Sequence, residues 1–179
     1  MMQMLAAGGM TALSDGQRSP DANNPRGYYE LKAVKSLARD ARIISQGEGK
    51  VVKIISSLLQ YLPTGHEYRV IFMRRPLVEI VASQDRMLER MGQKTTPTAR
   101  ESVFSAFEKH LRNIENWLAT RPEMTVLYVE YGAVLQHPSA EAARILAFLV
   151  QSLDLDAMVR KVERSLHRER IGSASLAGQ

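Results

Sequence analysis

An arginine pair followed by proline, Arg74-Arg75-Pro76, closes the apolar run Tyr68-Arg69-Val70-Ile71-Phe72-Met73, and Ser83 stands further along the same stretch. A guanidinium grips phosphate through two parallel hydrogen bonds and a serine hydroxyl supplies another donor, so Arg75 and Ser83 have the chemistry of an anion clamp. Pro76 suits the first position of a helix, where its missing N–H costs nothing and its fixed φ is already helical. A helix that starts there presents unpaired N–H groups and a positive dipole end to an anion. Spacing adds little to this, because the residues between Arg75 and Ser83 turn a helix by roughly 800° and leave the two side chains about 80° out of register. On residue types and spacing alone, phosphate binding and a salt-bridged surface arginine stand level. His66, His110, His137 and His167 are scattered, with neither metal-ligand spacing nor a paired acid, so they read as structural or exposed and imply no metal site.

Such residues need elements to hold them. Val51-Val52-Lys53-Ile54-Ile55 and Tyr68–Met73 are short runs rich in β-branched or aromatic residues, bounded by Gly or Pro, and both read as buried strands. A third strand is expected from Thr125 to Val129, leading to Tyr131. Leu77, Ile80, Val81, Gln84, Leu88 and Met91 recur at helical spacing after Pro76. Val103, Phe104, Phe107, Leu111, Ile114 and Leu118 form the stripe of a longer helix over Thr98 to Ala119, with Trp117 at the edge of that stripe. A turn at His137-Pro138 opens a helix with Ile145, Leu146, Phe148 and Leu149 inward, and a last helix is expected over Asp154 to Arg168.

Nearer the front, Met1 to Ala7 reads as a short buried helix stopped by Gly8 and Gly9, since glycine supplies a left-handed cap cheaply. Ser14 to Gly27 is a long run of turn residues, either a substrate lid or simple disorder. A helix is expected from Tyr28 to Arg39. Strands separated by helices argue for an α/β fold, a three-layer parallel sheet with helices on both faces. One domain covers 1–170, and the Gly/Ser/Ala tail 171–179 is expected to be disordered.

The chain has 179 residues, a net charge of +5, 45% hydrophobic and 24% charged residues and no cysteine. That balance is the balance of a soluble globular protein and contains nothing approaching a membrane span. The lack of cysteine removes disulfides and thiolate chemistry and fits a reducing cytoplasm, where the protein is expected. The positive charge favours an anionic partner. Nucleic acid is not the expected one: Arg160, Lys161, Arg164, Arg168 and Arg170 cluster near the end, but Glu163 and Glu169 interrupt them and no nucleic-acid motif accompanies them. The uncharged start, Met1 to Leu13, lacks the positive region that a secretory signal carries before its apolar run.

Beyond these separate readings, the run Arg75-Pro76-Leu77-Val78-Glu79-Ile80-Val81-Ala82-Ser83 after an apolar strand resembles the 3′-phosphate motif of PAPS-dependent sulfotransferases, where PAPS is 3′-phosphoadenosine 5′-phosphosulfate. Asn24-Pro25-Arg26-Gly27-Tyr28-Tyr29-Glu30, Val51–Ile55, Arg69–Arg75, Tyr128-Val129-Glu130-Tyr131 and Ser165–Arg170 occur in an order similar to a bacterial branch of that family. The resemblance runs over nearly the whole chain. It implies a P-loop nucleoside triphosphate hydrolase-like fold, PAPS as co-substrate and cofactor-binding roles for Arg75 and Ser83. It also implies a catalytic role for Lys53, which corresponds to the lysine that stabilises the bridging oxygen of the leaving group; by its residue type alone Lys53 reads equally as a lysine that snorkels out of the sheet's end.

Two features depart from the family. Its strand and Gly-x-Pro-Arg-Ser-Gly-Thr-Ser-like loop for the 5′-phosphosulfate precede the helix that corresponds to Met1–Leu5, so that strand and loop are expected upstream of the recorded start. Many cytosolic relatives carry a base histidine two positions after the lysine, where this chain has Ile55. Glu30 is taken as the substitute catalytic base, since a carboxylate near an acceptor hydroxyl can take its proton; an ordinary first-turn glutamate favoured by the helix dipole is the other reading.

The expected function is transfer of a sulfuryl group from PAPS to a hydroxyl or amine on a small-molecule or carbohydrate acceptor. A homo-oligomer stays open. The alternative is a non-catalytic remnant that binds adenosine 3′,5′-bisphosphate weakly or acts as a partner protein. A small P-loop kinase is disfavoured, because no Walker sequence is present.

Overall fold

The computed structural model describes residues 1–21 and 27–162. Their elements run in the order α1 (Met2–Ala7), β1 (Ala12–Leu13), β2 (Val51–Val52), β3 (Tyr68–Arg74), α2 (Leu77–Arg90), α3 (Pro97–Ala119), β4 (Met124–Glu130), α4 (Tyr131–Gln136), α5 (Pro138–Leu149) and α6 (Leu155–Arg160). Three 3-10 segments, Lys32–Ser36, Arg42–Gly47 and Ser56–Tyr61, fill part of the space between β1 and β3. The last helix ends at Arg160, with Lys161 as its cap, short of the expected Arg168. The family-like run Ser165–Arg170 and the tail 171–179 lie outside the described residues, as do Asn24–Arg26.

The strands form two parallel pairs, β1 with β2 and β3 with β4. In the larger pair Tyr68 stands opposite Met124 and Arg74 opposite Glu130, so the two strands match along their whole length. Successive side chains of a strand point to opposite faces. Ile71 and Met73 of β3 and Leu127 and Val129 of β4 therefore enter one apolar core, with Met4, Leu5, Ile145 and Met158 from the helices. Val70 and Phe72, with Met124, Val126 and Tyr128, enter a second core that contains Ile114 and Leu118 of α3. Val51 and Val52 of β2 divide between the same two cores. Among the described residues β2 pairs only with β1 and β3 only with β4, which leaves each with one unpaired edge.

Local chemistry accounts for most element ends. Gly8 and Gly9 stop α1 as expected, through bonds from Gly9 N–H to Ala6 O at 3.2 Å and Met10 N–H to Leu5 O at 3.0 Å, with the left-handed φ of +106° carried by Gly9. Gly8 is needed for a different reason: a Cβ there would lie 2.7 Å from Met158 Cγ, so its bare backbone lets α1 close onto α6. Thr96 caps α3 by accepting from Ala99 N–H at 3.2 Å, and Pro97 follows in the first turn. Pro76 is one position earlier than expected. Its ψ of 129° makes it the cap residue of α2 rather than the first helical one.

Other expectations are corrected. The stretch Tyr28 to Arg39 is not one helix: Tyr29 takes a positive φ of 50° and Leu31 an extended geometry, so no helical turn begins before the 3-10 segment at Lys32. The strand expected over Val51–Ile55 ends after Val52, and β1 was not anticipated. The stripe expected on α2 is only partly buried: Val81 is enclosed, Met91 is 66% exposed, and the other buried positions are the carboxylates Glu79 and Asp85. Each carboxylate has an arginine, Arg75 Nε at 2.8 Å from Glu79 and Arg100 Nε at 2.6 Å from Asp85, and the latter ties α3 to α2.

Candidate functional site

A cleft of about 1350 Å³ runs along the unpaired edges of β2 and β3. The chain places three of the expected site residues on its wall: Lys53 just past β2, Arg75 just past β3 and Ser83 on α2. Tyr131, the first residue past β4, lines it too. The cleft is larger than the 300–1000 Å³ or so of an ordinary ligand pocket, because it follows the strand edges as well as the rim where the strands end.

The tandem arginines divide by the alternation of the strand. Arg74 turns toward α3, where its guanidinium lies 3.9 Å from the centre of the Tyr128 ring and 2.7 Å from Glu115. Arg75 turns the other way, to Glu79 at 2.8 Å and over the Tyr131 ring at 5.1 Å. Burial raises the pKa of the Tyr131 phenol, while the Arg75 charge beside it acts in the opposite sense, so the phenol stays a neutral donor through the physiological range. Arg75 thus combines the two readings left open by its sequence: it is ion-paired with a buried carboxylate, and it lines a cleft together with Ser83.

Lys53 and Glu30 are brought together as well. The Lys53 ammonium donates to Tyr28 O at 3.0 Å and lies 3.7 Å from Glu30 Oε1. Glu30 also meets Arg18 at 3.1 Å and Lys35 at 3.9 Å. Its carboxylate is shared among three cations, and Glu30 is not on the cleft wall, whereas its neighbours Gly27, Tyr28 and Tyr29 are. The positive φ of Tyr29, uncommon for a bulky residue, turns this stretch so that the tyrosines face the cleft while Glu30 faces the cations.

The turn-rich stretch before Gly27 is fastened down over its described part. Arg18 stacks 3.4 Å from the centre of the Tyr28 ring, the Tyr28 hydroxyl donates to Asp21 at 2.7 Å, and Asp15 Oδ2 accepts from the Lys32 N–H. The Lys32 N–H, with a second from Gln17, holds the Asp15 carboxyl below its usual range. A depressed carboxylate pKa adds stability at all pH values above the unfolded pKa of about 4 and loses it as pH falls through the lower folded value. The Lys32 amide shift in an NMR titration is therefore expected to move below pH of about 4, and to stay still in Asp15→Ala.

Sequence reasoning set His110 aside as structural or exposed. On α3, far along the chain, its Nε2 shares a 2.7 Å hydrogen bond with the Ser56 hydroxyl, and both residues line the cleft. Their separation of 54 positions left no local signal. Among the described residues no group of three or more His, Cys, Asp or Glu is arranged to hold a metal, and no helix is long and apolar enough to cross a membrane. No family model, no curated protein and no solved structure matches this chain significantly.

Proposed function

We propose that the cleft is a nucleotide site and that the protein transfers a sulfuryl group from PAPS to a hydroxyl or amine acceptor, within a three-layer, P-loop-like α/β fold. One observation carries the reading: Lys53 just past β2, Arg75 just past β3 and Ser83 midway along α2 line one cleft. The division of strand side chains between two apolar cores supports the layered fold. In this reading Arg75 and Ser83 take the 3′-phosphate, and Lys53, steadied by Glu30 and Tyr28 O, faces the oxygen that leaves sulfur. Sulfuryl transfer is mostly positioning and charge stabilisation around an in-line displacement, so a fixed ammonium at the leaving oxygen is the main electrostatic requirement.

The second reading, a non-catalytic protein that holds adenosine 3′,5′-bisphosphate weakly, draws on the Arg75–Glu79 ion pair, which an incoming phosphate has to share or displace. Thermal unfolding with adenosine 3′,5′-bisphosphate and with ADP tests the common core of both. A ligand at a hundred times its dissociation constant adds about 2.7 kcal/mol, so the bisphosphate is expected to raise the Tm by several degrees and ADP by much less. Equal responses, or none, end the 3′-phosphate assignment.

A further inference from the structure

The proposed transfer needs a group to take the acceptor's proton, and the carboxylate expected for that work, Glu30, is occupied by Arg18, Lys35 and Lys53 and is not on the cleft wall. The Ser56–His110 pair is on that wall. Ser56 opens the 3-10 segment three residues after Lys53, so their Cα atoms are at most about 11 Å apart, a gap that a small acceptor can span. Both Ser56 and His110 are half-buried, and the bond is short and direct at 2.7 Å. An imidazole Nε2 held 2.7 Å from a hydroxyl has, in the tautomer that leaves Nε2 without a proton, the geometry a general base requires. Phe107 and Leu111, on the same side of α3 as His110, give this part of the cleft an apolar wall suited to the body of an acceptor rather than to the nucleotide's phosphates.

We propose that His110 is the general base of the reaction, with Ser56 holding its Nε2 where the acceptor hydroxyl enters. This rests on the sulfuryl-transfer reading of the cleft. The acceptor hydroxyl takes the place of the Ser56 hydroxyl at Nε2 and gives up its proton there as its oxygen attacks sulfur. The new O–S bond forms as the bond from sulfur to the phosphate oxygen of PAPS breaks. Adenosine 3′,5′-bisphosphate leaves with that electron pair beside Lys53, and the proton stays on His110 until water removes it.

The test uses labelled sulfate from PAPS, with 2-naphthol and the more acidic 4-nitrophenol as acceptors, on wild type, His110→Gln and His110→Ala. Glutamine keeps a hydrogen-bonding partner for Ser56 but cannot take a proton, so a structural role predicts retained activity and a base predicts its loss. His110→Gln is expected to lower kcat by about 10²–10⁴-fold with 2-naphthol and by less with 4-nitrophenol, while bisphosphate affinity stays within about twofold. Added imidazole is expected to restore part of the activity of His110→Ala. Wild-type rates in His110→Gln overturn the proposal, and so does a wild-type chain that binds the bisphosphate yet transfers to neither phenol; both outcomes leave the nucleotide site standing. Failure of the wild-type chain to bind the bisphosphate removes the nucleotide reading itself, and His110's role with it.

Discussion

Arg75→Ala is expected to destabilise the folded chain by roughly 2–4 kcal/mol and to abolish its response to adenosine 3′,5′-bisphosphate. The first effect comes from Glu79, which is 7% exposed and receives a hydrogen bond from Arg75 Nε at 2.8 Å. Removing one partner of a buried pair weakens the compensation of the other charge, and that cost is larger than the net worth of the pair. Because the Arg75 side chain is 25% exposed, water offsets part of the loss, which places the expectation below the full buried-pair figure. Loss of the guanidinium from above the Tyr131 ring adds about 0.5–1 kcal/mol. Urea denaturation checks this.

The second effect is separated from the first by the double variant Arg75→Ala/Glu79→Ala, in which the buried carboxylate is removed together with its arginine. The double variant is expected to regain much of the stability and none of the bisphosphate response. Should it bind the bisphosphate like the wild type, Arg75 is a structural ion-pair residue and the cleft's anion contact lies elsewhere. Ser83→Ala, at an exposed position, is expected to weaken the response without a measurable change in stability.

Ile145→Ala is expected to cost about 2–5 kcal/mol, as a shift in urea midpoint with little change in slope. Ile145 is 0% exposed and shares its core with Val129 of β4, Leu5 of α1 and Met158 of α6, so its side chain joins the main strand pair to the helices that cover it. Truncation leaves a cavity that these neighbours can close only by moving the backbone, and Gly8 already lets α1 approach α6 as nearly as the chain allows. Bisphosphate affinity, measured where the variant is still folded, is expected to be unchanged, because Ile145 is not on the cleft wall. A loss below about 1 kcal/mol means that this core is more plastic than its burial implies.

Repeating patterns were legible in the residues alone. Apolar spacing over many positions determined α2, α3 and α5, the β-branched and aromatic runs determined β3 and β4, and the glycine pair determined where α1 ends. Each of these signals is a sum over neighbours in the chain, enough to make the helix or strand even where, as on α2, packing buries Glu79 and Asp85 in place of most of the apolar stripe. The chemical types of Lys53, Arg75 and Ser83 were likewise plain from the sequence.

Only the folded chain decided what those residues meet. The strand β1 exists because Ala12 and Leu13 lie against Val51 and Val52, and two residues are too few to show a period. Tyr28–Leu31 gave up its expected helix to a positive φ at Tyr29 and to the bond between Asp15 and the Lys32 N–H. Glu30 joined the cations, and His110 found Ser56 on the cleft wall. Hydrogen bonds and ion pairs between distant segments leave no periodic trace in the chain, so a sequence shows which groups can act, while packing chooses their partners.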